Sequence, residues 1–405
     1  MSLKERDSLA TVEVKLPERT YKILVGYRWT DRIGSIILKE LPAAGRDVMV
    51  FTSPVIGKYY FGSVASALRR AGFKRIIRHN IPDGDRNKNL REYVRCIEIL
   101  TKKCPPDTGS RPLLLALGGG VITDLVGFVA GTYGRGNFAL CVYVPTTLLA
   151  CVDSTVGGKT GVNVLNLKNQ AGVFYQPHLV LIDLNFLNTL DDSELRAGMA
   201  EVIKYGAVCD SALFQLLEER IEDVLKRDSE LLQRIVVRCC AIKARIVEKD
   251  ERDISGIRIV LNFGHTIGHA IESASDFKLR HGEAVAIGML GATKIGVELG
   301  VCNASFYERL KQLIIRAGLP VSASAYGINA RDIYRSMRSD KKVMRGVNRF
   351  VLPTGIYKHK TDSYKRLING TWDEVASWSI KQACYVVRSG IDQDIVRKAV
   401  RSCIR

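Results

Sequence analysis

Three of the chain's six histidines, His265, His269 and His281, fall within 17 positions. His265 and His269 are spaced i, i+4, so a helix places both imidazoles on one face, a geometry able to hold a divalent metal such as zinc. The stretch His265-Thr-Ile-Gly-His269 lacks the inner glutamate of a zincin helix, and a lone pair at this spacing is more often structural. His281, in His281-Gly-Glu283, offers a third ligand after a short turn. Glu201 and Lys204 stand i, i+3 in a segment whose Met199, Ala200, Val202 and Ile203 make it apolar nearly all round. On a solvated face such a pair contributes a few tenths of a kcal/mol, about 0.2–0.5. On a buried helix both charges need partners, which points to a functional role.

A second group of residues is suited to anions. Gly118-Gly119-Gly120 runs on to Asp124 directly after an apolar run, Leu113 to Leu117. Glycines at a strand end let backbone N–H groups approach a phosphate, and the helix that follows favours negative charge at its N-terminus. The dinucleotide fingerprint GxGxxG fails at Thr123, and a tight strand-to-helix turn explains the glycines equally well. Asp153 to Asn163 joins a carboxylate, Lys159 and several small residues in what reads as a loop, with Lys168 and Asn169 close behind. It is not a Walker A motif, because Asp153 stands where the first glycine is required. Pro82-Asp-Gly-Asp-Arg-Asn-Lys88 reads as a turn entering a helix, and Asp340-Lys341-Lys342 as a charged cluster.

The elements that must carry these residues change in character along the chain. Up to about Thr189, short β-branched runs (Tyr21 to Val25, Val48 to Phe51, Arg75 to Ile77, Leu113 to Leu117, Cys141 to Val144, Leu179 to Ile182) alternate with helical stretches such as Tyr59 to Ala71 and Leu90 to Thr101. That alternation predicts an α/β domain with a mostly parallel sheet over residues 1–190. From Asp191 on, helical spacing dominates, with Asn348 to Leu352 one of the few strand-like runs, so residues 191–405 read as a mostly α-helical domain.

The whole chain has 405 residues, is 46% hydrophobic, and carries 60 Lys+Arg against 42 Asp+Glu, a formal net charge of +18. This composition supports a packed core and excludes a disordered tail protein. No apolar run reaches the roughly 18–20 residues of a membrane span, and the N-terminal residues have no apolar signal region. Ten scattered cysteines with no CxxC argue against a thiolate zinc site and a disulfide scaffold, and for a reducing, cytoplasmic setting. The basicity is uneven: Val301 to Arg405 holds 20 Lys+Arg and 8 Asp+Glu.

Taken together, the stretches Pro82–Lys88, Gly118–Asp124, Pro145–Thr147, Val152–Asn163, Phe174–Pro177, Ala200–Gly206, Leu261–Ala270, His281–Met289 and Asp340–Lys342 resemble the 3-dehydroquinate synthase family of sugar phosphate cyclases, over about Val12 to Ile356. The resemblance implies a Rossmann-like NAD-binding domain followed by a helical metal-binding domain. It implies Glu201, His265 and His281 as ligands of a divalent metal, usually zinc, with cobalt as an alternative. NAD is expected on Asp83, Asp85, Lys88, Gly119, Gly120, Asp124, Thr146, Thr147, Lys159, Lys168, Phe186 and Thr189. Substrate phosphate and carboxylate are expected at Asn169, Lys204, Lys243, Arg258, Asn262, His269 and Lys341 or Lys342, with Asp153 and His269 orienting groups or moving protons. Arg135 is expected to reach the phosphate site of a neighbouring subunit, which implies a homodimer.

The implied reaction turns 3-deoxy-D-arabino-heptulosonate 7-phosphate into 3-dehydroquinate and phosphate, with NAD regenerated in each turnover, a net lyase reaction of the shikimate pathway. The chain departs from the family pattern at Asp85, where Glu is usual, at Thr123, where Gly is usual, and in an insertion of roughly 25 residues around Thr361 to Ser389, within a longer basic tail from about residue 357. A sister cyclase making 2-epi-5-epi-valiolone or 2-deoxy-scyllo-inosose is the first alternative; the retained carboxylate-binding set argues against it. An inactive relative that binds nucleic acid is the second, motivated by the +18 charge. Against it, the basic stretches lack the interleaved aromatics of a stacking surface.

Overall fold

The computed structural model describes residues 9–42, 44–45, 47–104, 111–165, 167–339, 348–355, 361–378 and 383–404. The chain divides into two compact units, Met1–Leu190 and Asp191–Arg405. No helix among the described residues is long and apolar enough to cross a membrane.

The first unit is built on a seven-stranded sheet. Its strands are β1 (Ala10–Lys15), β2 (Thr20–Gly26), β3 (Asp47–Thr52), β4 (Arg75–Asn80), β5 (Leu113–Gly118), β6 (Leu140–Pro145) and, after a hairpin of β7 (Lys159–Val164) and β8 (Leu167–Phe174), β9 (Leu179–Asp183). The order across the sheet is β1-β2-β9-β6-β5-β3-β4; β1 is antiparallel to β2 and every other pair is parallel. β5, β6 and β9 are buried along their whole length, which is why they read as unbroken apolar runs. Side chains from four strands (Val50, Leu115, Val142, Leu181) meet Trp29, Ile33 and Leu68 in one core.

Helices α1 (Ile33–Glu40), α2 (Pro54–Arg70), α3 (Leu90–Lys103) and α4 (Gly120–Thr132) connect the strands. α2 starts earlier than its apolar spacing suggested. The Ser53 hydroxyl caps Ile56 N–H, and Pro54 sits where a missing donor costs nothing. The winding of the sheet reverses between β3 and β5, so this fold has its topological switch point at the carboxyl ends of those strands. Residues 153–163, expected as a polar loop, instead form a π-helical turn (Ala150–Ser154) and then β7. The β7–β8 hairpin packs on α4 so closely that a Cβ at Gly127 would lie 2.4 Å from Thr160 Cγ2.

The second unit contains α5 (Asp192–Val208), α6 (Ser211–Leu225), α7 (Ser229–Lys249), α8 (His265–Ala274), α9 (His281–Glu298), α10 (Ala304–Arg316), α11 (Ala330–Ser339), α12 (Thr361–Asn369), α13 (Trp372–Ala376) and α14 (Gln393–Ser402). A small antiparallel sheet joins β10 (Arg349–Pro353) to β11 (Tyr385–Ser389). Two backbone-to-backbone contacts set the positions of α5, α8 and α9. A Cβ at Gly288 of α9 would lie 2.1 Å from the Gly264 carbonyl oxygen, and one at Gly282 would lie 1.9 Å from that of Ala197 in α5. Only glycine permits either approach, and together they bring the first turns of α8 and α9 to the middle of α5.

The basic C-terminal segment is woven into this unit. β11 pairs along the full length of β10, and α14 packs on α9. The connection between α13 and β11 docks on a buried cation: Arg238 of α7, 3% exposed, pairs with Asp210 and donates to the carbonyls of Val375 and Ser377. Trp378 Nε1 donates to the Cys209 carbonyl at 3.1 Å, and Cys384 N–H to that of Val208 at 2.8 Å. Replacing Arg238 with Ala strands the buried Asp210 charge and two carbonyls, and is expected to destabilise the protein by about 3–5 kcal/mol in urea unfolding. Arg388→Ala, on the exposed end of β11, is expected to stay within about 0.5 kcal/mol.

Candidate active site

In the second unit the three histidines converge. One ring nitrogen from each of His265, His269 and His281 lies within 4.8 Å of the others. Glu201, on the middle of α5 and 0% exposed, places Oε1 at 3.5 Å from His265 Nε2 and 3.4 Å from His281 Nε2. Lys204, one turn on, touches Oε2, yet neither carboxylate oxygen has a donor in good hydrogen-bond geometry. A fully buried anion with poorly aligned donors, facing imidazole nitrogens, is a donor set that suits a divalent cation. The outer contacts fix the rings. Phe263 O accepts from His265 Nδ1 at 3.0 Å, so Nε2 is the ring nitrogen that faces Glu201, and Glu272 Oε2 stands 3.5 Å from His281 Nδ1.

The electrostatics follow from this geometry. Burial opposes charge on Glu201, but Lys204 first, then His265 and His281, hold its carboxyl well below the usual range. Burial also opposes charge on His281, yet its contacts with Glu201 and Glu272 push it up to about 9.

Several of the expected substrate groups lie in this same unit. Lys204, Lys243 on α7 and Arg258 on the 3₁₀ turn Ile257–Asn262 are buried, and Asn262 and His269 are half-buried. Arg258 is held in place as its Nη1 donates to Glu251 O at 2.9 Å and its N–H to Asp250 at 3.2 Å. Lys341 and Lys342 lie outside the described residues.

In the first unit, the loops after the parallel strands carry the expected cofactor residues. Gly119 and Gly120 follow β5, Thr146 and Thr147 follow β6, and the turn Leu184–Thr189 follows β9. Gly119 has φ −78°, so glycine serves here for space rather than for a left-handed backbone. A Cβ there would lie 3.0 Å from Thr147, one at Gly118 2.5 Å from Ile122, and one at Gly120 3.3 Å from Ser154. The Thr52 and Thr146 hydroxyls, at the ends of β3 and β6 on either side of β5, are buried with no hydrogen-bond partner among the described residues. A bare-backbone cradle at a switch point, flanked by orphaned hydroxyls, fits a phosphate-linked dinucleotide.

The loop after β4 is tied to the hairpin. Lys88, buried, donates to Asp124 Oδ2 at 2.9 Å and to Asn169 Oδ1 at 2.7 Å. Asp85 accepts from Asn163 at 3.1 Å and lies 3.5 Å from Lys168 Nζ. Asp83 and Lys159 are exposed, and Asp153 is half-buried on its π-helical turn. The Phe186 ring is core, tilted against the Tyr60 ring at 4.5 Å between centroids, so only its backbone can face a ligand; Thr189 Oγ1 meets the Tyr60 hydroxyl. Arg135 is exposed at the end of α4, in the left-handed region at φ 61°.

Four contributors escaped the sequence reading. Glu272 lies i+7 from His265, hence on the same helical face, a spacing that could have marked it. Asn163 ended a quoted stretch without a role, yet it joins Asp85 to Asn169, whose N–H it accepts at 3.0 Å. Thr52 and the Phe263 carbonyl carry no local signal, since their placement is tertiary.

Comparison with known proteins places these geometries in context. The family profile described as 3-dehydroquinate synthase N-terminal matches residues 78–197, and the C-terminal one matches residues 198–343. The chain is 42% identical over 349 residues to 3-dehydroquinate synthase of Desulforamulus reducens, covering 86% of this chain and 94% of that one. It is 43% identical over 348 residues to the enzyme of Nostoc punctiforme, covering 85% and 93%. Among solved structures, the fold matches a 2-epi-5-epi-valiolone synthase from Streptomyces hygroscopicus with NAD+ and Zn2+ bound at a TM-score of 0.78 and 23% identity, covering 95% of this chain and 97% of that one. It also matches a 2-deoxy-scyllo-inosose synthase complexed with carbaglucose-6-phosphate, NAD+ and Co2+ at 0.78 and 19% identity, covering 97% and 100%.

The Glu272 contact generates a prediction. Glu272→Gln is expected to keep one divalent metal ion per chain but weaken it by about 10–100-fold in competition with a chelator. Unchanged affinity would mean that Glu272 does not orient a ligand.

Proposed function

The chain belongs to the 3-dehydroquinate synthase family, and from that premise we propose that it converts 3-deoxy-D-arabino-heptulosonate 7-phosphate to 3-dehydroquinate and phosphate. The observation that carries this reading is the buried Glu201 carboxylate facing His265 and His281 in the same unit as the enclosed cations Lys204, Lys243 and Arg258. Identity of 42% to curated 3-dehydroquinate synthases favours it over the sister cyclases, matched at 23% and 19%.

Glu201, His265 and His281 would hold the metal, zinc in our reading, with His269 close enough to serve either the metal or a proton. The metal, when bound, lowers the pKa of a coordinated hydroxyl and polarises a carbonyl. The Gly118–Gly120 turn, Thr146, Thr147 and the Lys88 cluster would hold NAD, whose chemistry is reversible removal of hydride from a carbinol carbon.

The chain's own residues supply binding and proton management. Lys204, Lys243 and Arg258 counter the phosphate and carboxylate of the substrate from buried positions, where the low dielectric strengthens each contact. Lys88, fixed by Asp124 and Asn169, presents a positioned cation and aligns the Asn169 amide. His269, half-buried and 5.2 Å ring to ring from His265, is placed to move a proton at a substrate oxygen. Asp153 orients a neighbouring group.

Arg135, with no ion pair among the described residues and held in a left-handed conformation, projects from α4 as an arm suited to a second copy of the chain, in line with a homodimer. All ten cysteines are free thiols and nine are buried, in keeping with a reducing cytoplasm.

The test is phosphate release from the heptulosonate phosphate. Release is expected to require both NAD and a divalent metal, and Lys204→Ala is expected to lower kcat/KM by about 10²–10³. No release, together with turnover of sedoheptulose 7-phosphate, would make the chain a sister cyclase instead.

A further inference from the structure

Much of the chain's positive charge lies away from the groups just described. α11 and α14 flank a groove of about 600 Å³ lined by Ala330, Arg331, Tyr334, Arg335, Arg397, Val400 and Arg401. Four arginines thus line one space, two from each helix. Arg331–Arg335 and Arg397–Arg401 are each spaced i, i+4, so each helix sets two like charges side by side, an arrangement that opposes helix stability.

Two of the four arginines have an acidic partner on their own helix. Arg335 pairs with Asp332 at 3.6 Å and Arg397 with Asp394 at 3.2 Å, both exposed pairs within one helix, of the kind that contributes little. Arg331 and Arg401 form no ion pair among the described residues. The floor is apolar and fixed: Val400 is buried, and the Tyr334 ring is held by Arg397 stacked over it at 5.8 Å and by a hydrogen bond from its hydroxyl to Gln393.

We propose that the groove between α11 and α14 is a second anion site, which binds a small molecule carrying two phosphate groups. Planar guanidinium forks match phosphate oxygens bidentately, and two pairs on opposite walls suit two phosphates on one ligand better than a single oxyanion. The volume falls in the range of small-molecule sites. Binding there would relieve the repulsion within each arginine pair, so the ligand stabilises the helices that it bridges. α14 packs on α9, whose first residue is His281, so occupancy of the groove is connected to the helix that carries a proposed metal ligand.

Calorimetric titration of the NAD- and metal-loaded protein with fructose 1,6-bisphosphate, at physiological salt, tests the proposal. Saturable binding is expected, weakened by at least about tenfold in Arg331→Gln with Arg401→Gln. Both positions are exposed, so the variant folds, and its kcat/KM is expected to stay within about twofold of the parent. Lys204→Ala is expected to leave the bisphosphate affinity unchanged. Inorganic phosphate is expected to bind at least about tenfold more weakly than the bisphosphate. Affinity that falls with Lys204→Ala and not with the arginine pair would assign the binding to the catalytic site and overturn the proposal. So would absence of saturable binding, equal affinity for inorganic phosphate, or capture of random-sequence RNA alone with a steep salt dependence.

Discussion

A carboxylate without access to solvent must be neutralised by what surrounds it, and Glu201 sits on a helix whose residues from Ala197 to Val208 are all buried. Lys204 supplies one positive charge from the same helix. The remaining partners come from other helices: His265 opens α8 and His281 opens α9, each presenting Nε2 to the same oxygen. Much of the second unit serves that convergence. Gly282 allows α9 to touch the α5 backbone one turn before Glu201, and Gly264 and Gly288 let α8 lie against α9. A buried ionic group of this kind is poor as a source of stability, because hydrophobic residues of equal volume would serve as well. It makes sense where a cation is to be bound.

The first unit solves a different problem with backbone. At its switch point it presents a bare turn, Gly118 to Gly120, between two threonine hydroxyls that have no hydrogen-bond partner among the described residues. Charge enters from the side, through Lys88, whose ammonium is shared between Asp124 and Asn169. That lysine is reached from the loop after β4, which the hairpin residue Asn163 secures through Asp85. The hairpin read from sequence as a loop therefore acts as the clamp for the loop beside it. Its local pattern concealed this because its neighbours, α4 and the Asp83–Lys88 loop, are distant in sequence.

What was legible in the sequence divides along physical lines. Strands buried on both faces, such as Leu113–Gly118, and helices of regular apolar spacing, such as α7, could be read directly, because burial dictates residue type. The imidazole pair His265 and His269 was legible from helical geometry. The assembly of Glu201 with His265 and His281 was legible only through resemblance, since nothing in the spacing of 64 and 16 residues brings them together. The groups that orient the ligands, Glu272 and the Phe263 carbonyl, depend on contacts between helices and stayed hidden. The insertion near 361–389, read as part of a long tail, proves to be anchored by Arg238, a residue that from sequence alone is one more charge on an amphipathic helix.

The account rests on Glu201 being there to hold a cation. Metal content per chain, measured after dialysis on the parent protein and on Glu201→Gln, tests that most directly. The carboxamide keeps the shape and removes the charge. The account predicts one divalent ion per parent chain and a loss of that ion in Glu201→Gln, with the helical circular dichroism signal retained. A folded Glu201→Gln protein that keeps its ion at parental stoichiometry would contradict it.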